Sequence, residues 1–192
     1  MVLQPVSYQN YTDELLVELI TDGKTFAFDE LYKRYGQKLF SYFFRMLWKN
    51  KELAEDCTQE LFFKLIKNME KFDKQKNFST WMYSIANNMC KNEYRKEETR
   101  LKYQNMKPQA GIDHNKENVD MGNFKKAVSG CINELNEDKK SLFILRFKEQ
   151  LSVPDISKIL DIPEGTVKSR LFYLLKELKD KLAPFQNISF NQ

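Results

Sequence analysis

Apolar side chains recur at every third or fourth position along two long stretches of the chain, from Thr12 to Arg100 and again from Phe124 onward. This spacing lines them up on one side of an α-helix, so both stretches are predicted to be strings of amphipathic helices. The period is lost over 101–122, where Asn, Gln, Pro and Gly collect as in a linker. We therefore expect an all-α fold of two small helical domains joined by a flexible linker. The predicted segments are a domain at 1–100, the linker at 101–122, a domain at 123–185 and a tail at 186–192.

Several residues mark where the predicted helices begin. Thr12 can cap the first helix, and Ser79 or Thr80 can cap the fourth, because a side-chain hydroxyl accepts from an otherwise unpaired amide of the first turn. Ser152 and Asp155 have the spacing of a capping box, with Asp in place of the usual Glu. These caps predict short helices separated by tight turns.

The composition narrows the class of protein. Hydrophobic residues make up 42% of the chain and charged residues 30%, and the six Gly and five Pro are too few for a collagen-like or all-β chain. Residues 123–192 carry 12 basic and 9 acidic residues, so most of the net charge of +4 lies there. This excess permits a polyanionic partner for the C-terminal domain without requiring one.

Residues for metal binding or catalysis are scarce. Cys57, Cys90 and Cys131 form no CxxC pair, and the one histidine, His114, stands in a polar stretch, so no metal site is predicted. No nucleophile has a local base and no phosphate-binding glycine loop occurs, which argues against an enzyme and against a cofactor. The sequence has neither a signal-peptide pattern nor a membrane-spanning apolar run, so we expect a cytoplasmic protein.

The C-terminal domain contains the pattern of a helix-turn-helix, in which a short helix, a brief turn and a longer helix follow one another. In the longer helix, Val167, Leu171, Leu174 and Leu178 share a narrow arc that would face the core. The other side carries residues suited to phosphates and base edges. A plain helical hairpin with a solvated face is the simpler alternative. The candidate DNA contacts are Pro163, Thr166, Lys168, Ser169, Arg170, Phe172 and Tyr173.

The third predicted helix presents a different chemistry on its outer side. Asp56, Gln59 and Glu60 surround Phe63 there, which suits a basic protein partner with an apolar centre better than it suits DNA. The alternative is a solvated face with one exposed aromatic, which is common in proteins.

The fourth predicted helix and the loop before it combine aromatic, amide and basic side chains. A ring can stack on an unpaired base, Asn can bind a base edge and Arg can hold the backbone, a mixture that suits single-stranded DNA. The alternative assigns Phe78 and Trp81 to the core. The candidate contacts are Lys74, Lys76, Phe78, Trp81, Asn88, Asn92 and Arg95.

Taken together, the two halves resemble bacterial RNA polymerase sigma factors of the extracytoplasmic function (ECF) group. The resemblance to sigma region 2 lies in "AEDCTQELFFKLIK" and "FSTWMYSIANNMCKNEYRK", and the resemblance to region 4 lies in "LSVPDISKILDIPEGTVKSRLFYLLKEL". It implies that the face around Phe63 binds the β′ clamp helices of core RNA polymerase. It also implies that the loop at 71–78, with Asn88, captures an unstacked base of the −10 element of promoter DNA.

By the same resemblance, the helix-turn-helix enters the major groove of the −35 element and meets the β flap, and an anti-sigma factor is a further expected partner. Two positions depart from the family pattern. Asn92 stands where the family often has Asp, and Ser157 stands where it usually has Ala, so that the Ser157 hydroxyl needs a backbone acceptor. The main alternative is a stand-alone dimeric helix-turn-helix regulator, which would bind a two-fold operator without polymerase.

Overall fold

The computed structural model describes residues 8–104 and 123–185. Within these two ranges the chain forms eight α-helices and no β-strand, which confirms the all-α expectation. In chain order the helices are α1 (Asp13–Thr21), α2 (Thr25–Met46), α3 (Lys51–Asn68), α4 (Phe78–Gln104), α5 (Asn123–Asn133), α6 (Glu137–Phe143), α7 (Val153–Leu160) and α8 (Glu164–Leu182). No helix among the described residues is long and apolar enough to cross a membrane.

The chain divides into two compact units, of which the N-terminal unit holds α1, α2, α3 and α4 as far as Cys90. Helix α4 runs four residues beyond the predicted end of the first domain at 100. The rest of the predicted linker, at 105–122, the predicted tail at 186–192 and His114 lie outside the described residues. The predicted domain boundaries therefore stay predictions.

The core of the N-terminal unit lies between α2 and α3, the pair of helices with the most extensive contact. The first half of α4 buries its apolar side and packs Tyr83 on Tyr42 of α2. Removing this much apolar surface from water is the main source of stability for such a domain. The fully buried side chains include Leu31, Leu39, Phe43, Leu61, Leu65 and Met82.

Helix α1 is attached to α2 by polar contacts centred on Arg34. Its guanidinium pairs with Asp13 at 2.7 Å and with Glu30 at 2.9 Å, and it also donates to the backbone carbonyls of Tyr8, Gln9 and Tyr11. The fixed fork of five N–H donors allows one arginine to hold this many acceptors. The segment before α1 is thereby bound to the domain.

The caps at the start of α1 and α7 are as expected, whereas the cap of α4 differs. Thr12 Oγ1 accepts from the amide of Leu15 at 3.3 Å, and Ser152 Oγ accepts from the amide of Asp155 at 3.2 Å. Helix α4 begins at Phe78 and is capped by Asn77, not by Ser79 or Thr80: the Asn77 side-chain oxygen accepts from the Thr80 amide at 3.0 Å. The prediction of a hydroxyl cap was wrong because Asn is an equally good N-cap, and it stands a few residues earlier.

In the C-terminal unit, α8 packs on α5 and α6 around a core of aliphatic side chains. Two solvated ion pairs lie beside this packing: Lys139 of α6 contacts Glu177 at 2.6 Å, and Lys181 contacts Glu134 at 3.3 Å. After α6 the chain continues as one π-helical turn, Ile144–Lys148. The buried residues at the centre are Leu142, Ile144, Leu145, Ile156, Val167 and Leu174.

Candidate nucleic-acid and protein interfaces

The turn between α7 and α8 is fixed by two hydrogen bonds between the same two residues. Helix α7 ends where Asp161 adopts φ 54°, and the Ile162 amide then donates back to the Ser157 carbonyl at 3.1 Å. The Ser157 hydroxyl donates to the Ile162 carbonyl at 2.6 Å. Ser157 thus has the backbone acceptor that its polar side chain was expected to need. The two bonds set the direction in which α8 leaves the turn.

The entrance of α8 is open on its outer side. Glu164 is the first helical residue and Pro163 is the N-cap, one position earlier than a helical proline would stand. The Pro163 carbonyl accepts from the amides of Thr166 and Val167, at 2.9 and 3.0 Å. A Cβ built on Gly165 would meet no atom within 4 Å. The first turn of α8 therefore leaves room for a phosphate group of a nucleic-acid backbone to approach it.

The outer face of α8 brings the remaining predicted DNA contacts together. Lys168, Ser169 and Arg170 are exposed, and neither cation forms an ion pair with a residue that the structure describes. Phe172 and Tyr173 are 65% and 66% exposed, and their rings meet edge to face at 5.5 Å. Val167, Leu174 and Leu178 are buried on the opposite side, as predicted, whereas Leu171 is half-buried. Two adjacent exposed aromatic rings are unusual for a purely solvated face.

The outer side of α3 has the predicted acidic character around an aromatic residue. Asp56, Gln59 and Glu60 are exposed, and Phe63 is 72% exposed. Glu60 pairs with Lys64 at 2.7 Å, a solvated contact within one helical turn that is worth little. Ile66, which is 47% exposed, enlarges the apolar centre by one side chain that the sequence analysis missed.

One edge of α4 carries the predicted amide and cation series. Asn88, Asn92 and Arg95 are exposed along this continuous helix, and Arg95 donates to the Asn92 side chain at 3.4 Å. Trp81, at the head of the edge, is half-buried. These four residues share one side of the helix, as their spacing requires.

Phe78 is not a direct contact, and the prediction for it is corrected. Its side chain is 1% exposed and lies in an aromatic cluster with Tyr35, Phe72 and Trp81, whose ring centroids are 5.8 to 5.9 Å from its own. Trp81 also packs on Phe72 at 5.0 Å. The core interpretation therefore holds for Phe78, while Trp81 is only half-buried.

The two lysines of the preceding loop are exposed and paired with carboxylates. Lys74 contacts Glu18 of α1 at 2.7 Å, and Lys76 contacts Asp73 at 3.6 Å. Glu14, also on α1, accepts from the Phe78 amide at 2.9 Å. The sequence analysis missed Glu14 and Glu18, because no local pattern connects residues 56 and 64 positions apart.

Comparison with known proteins gives the class of the chain. The model for Sigma-70 region 2 matches residues 31–100, and the model for Sigma-70 region 4 matches residues 125–178. Together they define a two-domain sigma factor of the Sigma-70 class, whose members regulate transcription by binding DNA and are not enzymes.

The relatives identify the group more closely. The ECF RNA polymerase sigma-E factor of Haemophilus influenzae is 31% identical over 192 residues, covering 92% of this chain and 98% of that one. The sigma-E factor of Escherichia coli K12 is 30% identical over 193 residues, covering 92% and 97%. The chain belongs to the ECF RNA polymerase sigma factors and directs transcription in that role.

Two solved structures share the fold. CnrH, solved in complex with the cytosolic domain of CnrY, has a TM-score of 0.66 at 17% identity and covers 90% of this chain and 97% of its own. The sigma factor RpoE of Bartonella quintana, solved with the anti-sigma factor NepR, has a TM-score of 0.64 at 21% identity and covers 81% and 96%.

Proposed function

We propose that three separate faces of the chain bind three different targets during promoter recognition. The outer face of α8 binds the −35 element, the exposed edge of α4 binds the opened −10 element, and the outer face of α3 binds the β′ clamp helices of core polymerase. The observation that supports this division is the chemistry of each face: the α8 face has exposed cations and rings, the α4 edge has amides and a cation, and the α3 face is acidic.

At the −35 element, α8 enters the major groove with its first turn against the backbone. Lys168 and Arg170 bind phosphates or a guanine edge, and the exposed ring of Phe172 contacts a thymine methyl. Each good base contact contributes about 1–3 kcal/mol of discrimination. Thr166, Ser169 and Tyr173 complete the face. The same domain also meets the β flap.

At the −10 element, Asn88, Asn92 and Arg95 hold a strand that has left the duplex, next to the half-buried Trp81. Lys74 and Lys76 supply charge from the loop before α4. Separating stacked base pairs costs about 1.4 kcal/mol per step, so binding one extruded base does not open several pairs by itself. The protein therefore melts promoter DNA only when core polymerase contributes further contacts.

The α3 face explains how polymerase is recruited. An acidic rim attracts a basic partner and sets its orientation, while an exposed aromatic centre contributes the apolar contact. Asp56, Gln59 and Glu60 form the rim, and Phe63 forms the centre. We also infer an anti-sigma factor as regulator, since the sigma factor RpoE was solved with the anti-sigma factor NepR. The chain acts in the cytoplasm, has no catalytic activity and needs no cofactor.

In vitro transcription with purified core polymerase tests this proposal. The chain should join core polymerase and start RNA synthesis at promoters with two unlike elements, and it should bind DNA only weakly when free. A symmetric dimer that binds an inverted repeat without polymerase would instead establish the stand-alone regulator. Absence of transcription from any promoter of its own genome would also refute the proposal.

A further inference from the structure

Two carboxylates of α1 hold the loop that precedes α4, although they are distant in sequence. Glu14 and Glu18 stand one helical turn apart on α1, so their side chains extend in the same direction. Glu14 Oε1 accepts from the Phe78 amide at 2.9 Å, and Glu18 Oε1 contacts Lys74 Nζ at 2.7 Å. Both ends of the 74–78 segment are thus bound to the same helix.

The contact of Glu14 is the stronger of the two. The Phe78 amide belongs to the first turn of α4, where backbone donors have no partner within the helix. Asn77 satisfies the Thr80 amide, and Glu14 satisfies the Phe78 amide. A carboxylate at a helix N-terminus is also favoured by the helix dipole. The Glu18–Lys74 pair is solvated on both sides, and such pairs contribute little.

Fixing the Phe78 backbone also fixes the side chains that lead to the exposed edge of α4. The Phe78 ring packs on the rings of Trp81 and Phe72, with a centroid distance of 5.9 Å in each case. Because Phe72 precedes the loop and Phe78 ends it, this contact joins the two ends of the loop. Trp81 is the first residue of the edge that continues to Asn88. A shift of the Phe78 backbone would therefore move the indole.

Helix α1 has an independent attachment that lets it act as a support. Asp13 pairs with Arg34 at 2.7 Å and accepts from the Tyr35 hydroxyl. The Asp13–Arg34 pair holds the start of α1 on α2 without involving the 74–78 segment, whereas the Tyr35 ring also packs on Phe78. The two other carboxylates of α1 can therefore hold the loop in place without depending on the loop for their own position.

We propose that α1 positions the −10 recognition loop, with Glu14 as the main positioning residue and Glu18 as a secondary one. This inference rests on the proposed function, because it concerns how the Trp81 edge is held ready for a single strand. Glu14 does not contact DNA in this arrangement. It keeps the loop and the indole in the binding conformation before DNA arrives, which lowers the cost of ordering them.

The first experiment measures the contact in the free protein. Hydrogen exchange of the Phe78 amide, followed by NMR on the full chain, should be about fivefold faster in Glu14→Ala, the loss expected for one helix-capping acceptor. Glu14→Gln keeps an acceptor of the same length and should restore most of the protection. Asp29→Asn, which removes an exposed α2 carboxylate, is the matched control and should change nothing. Unchanged exchange in Glu14→Ala would overturn the inference.

The second experiment measures the consequence at a promoter. With core polymerase, Glu14→Ala should slow the appearance of permanganate-reactive thymines in the −10 element about fivefold. Binding to core polymerase and to a −35 duplex should be unchanged, and Glu14→Gln should recover most of the rate. Equal rates in Glu14→Ala and the wild type, or equal losses in the Ala and Gln variants, would overturn the inference.

Two further variants distinguish a failure of the inference about Glu14 from a failure of the proposed function. If Glu14→Ala does not fold, Glu14→Asp replaces it. This variant keeps the charge, but its side chain is one methylene too short to reach the Phe78 amide. The faster exchange at Phe78 and the slower promoter opening should therefore both still appear. Asn88→Ala tests the proposed function alone. Normal opening in Asn88→Ala would refute the −10 assignment, whereas faster exchange at Phe78 in Glu14→Ala would still establish the contact with α1.

Discussion

Gly165 gives a prediction in which stability and DNA binding move in opposite directions. A methyl group there meets no atom within 4 Å, so Gly165→Ala should fold without strain. Because Gly is a poor helix former, the free energy of unfolding should rise, by about 0.5 kcal/mol in this first turn. The same methyl group occupies the space into which we place a backbone phosphate. Losing one charge-assisted hydrogen bond of this kind should weaken −35 binding about tenfold.

Gly130 provides the matched control for this substitution. It lies within α5, and a Cβ there also meets no atom within 4 Å. Gly130→Ala should stabilise the domain by about 0.5–1 kcal/mol and leave −35 binding unaltered. Thermal unfolding measures the first effect, and fluorescence anisotropy with a labelled −35 duplex measures the second. Unaltered binding in Gly165→Ala, or equal weakening in both variants, would refute the placement of phosphate at the α8 entrance.

Four other predictions follow from contacts described above. Reversing the charges of Asp56 and Glu60 to Lys should weaken binding to core polymerase about tenfold, and an unchanged dissociation constant would contradict the acidic docking face. Asn88→Ala should impair promoter opening in permanganate footprinting while core binding stays intact. Asp161→Val should destabilise the C-terminal domain by about 1–2 kcal/mol in urea unfolding, because a β-branched residue does not tolerate φ 54°, whereas Asp161→Gly should be tolerated. Burial, and then its hydrogen bond to a carboxylate, raises the pKa of Tyr35 above its ordinary value of 10.0. The folded state therefore holds this proton more tightly, so the stability that the group contributes is present below pH 10.0 and is lost as the pH rises further. In Tyr35→Phe, the free energy of unfolding from denaturant titrations should decrease less as the pH rises above 10.0.

The helices could be predicted because their apolar period is a local property. The caps at Thr12 and Ser152 were found for the same reason, since a cap and its amide are three residues apart. The start of α4 was placed too late because Asn77, Ser79 and Thr80 are all capable of capping. Only the path of the chain decides which one does so.

The candidate site was predictable only in part. Sequence spacing placed Asn88 and Asn92 on one edge, which depends on α4 alone. It did not determine the burial of Phe78, which depends on Tyr35 and Phe72 from other elements. Nor did it find Glu14, whose partner amide is 64 positions away. Interactions between residues that are distant in sequence depend on packing, and no short sequence pattern reveals them.

The contacts of Arg34 limit where a stable fragment of this protein can begin. A fragment begun at Asp13, the first residue of α1, would lack the Tyr8, Gln9 and Tyr11 carbonyls to which the guanidinium donates. A half-buried cation short of acceptors is costly, so the shortened fragment should unfold at a lower temperature. Fragments for binding studies should therefore begin no later than Tyr8.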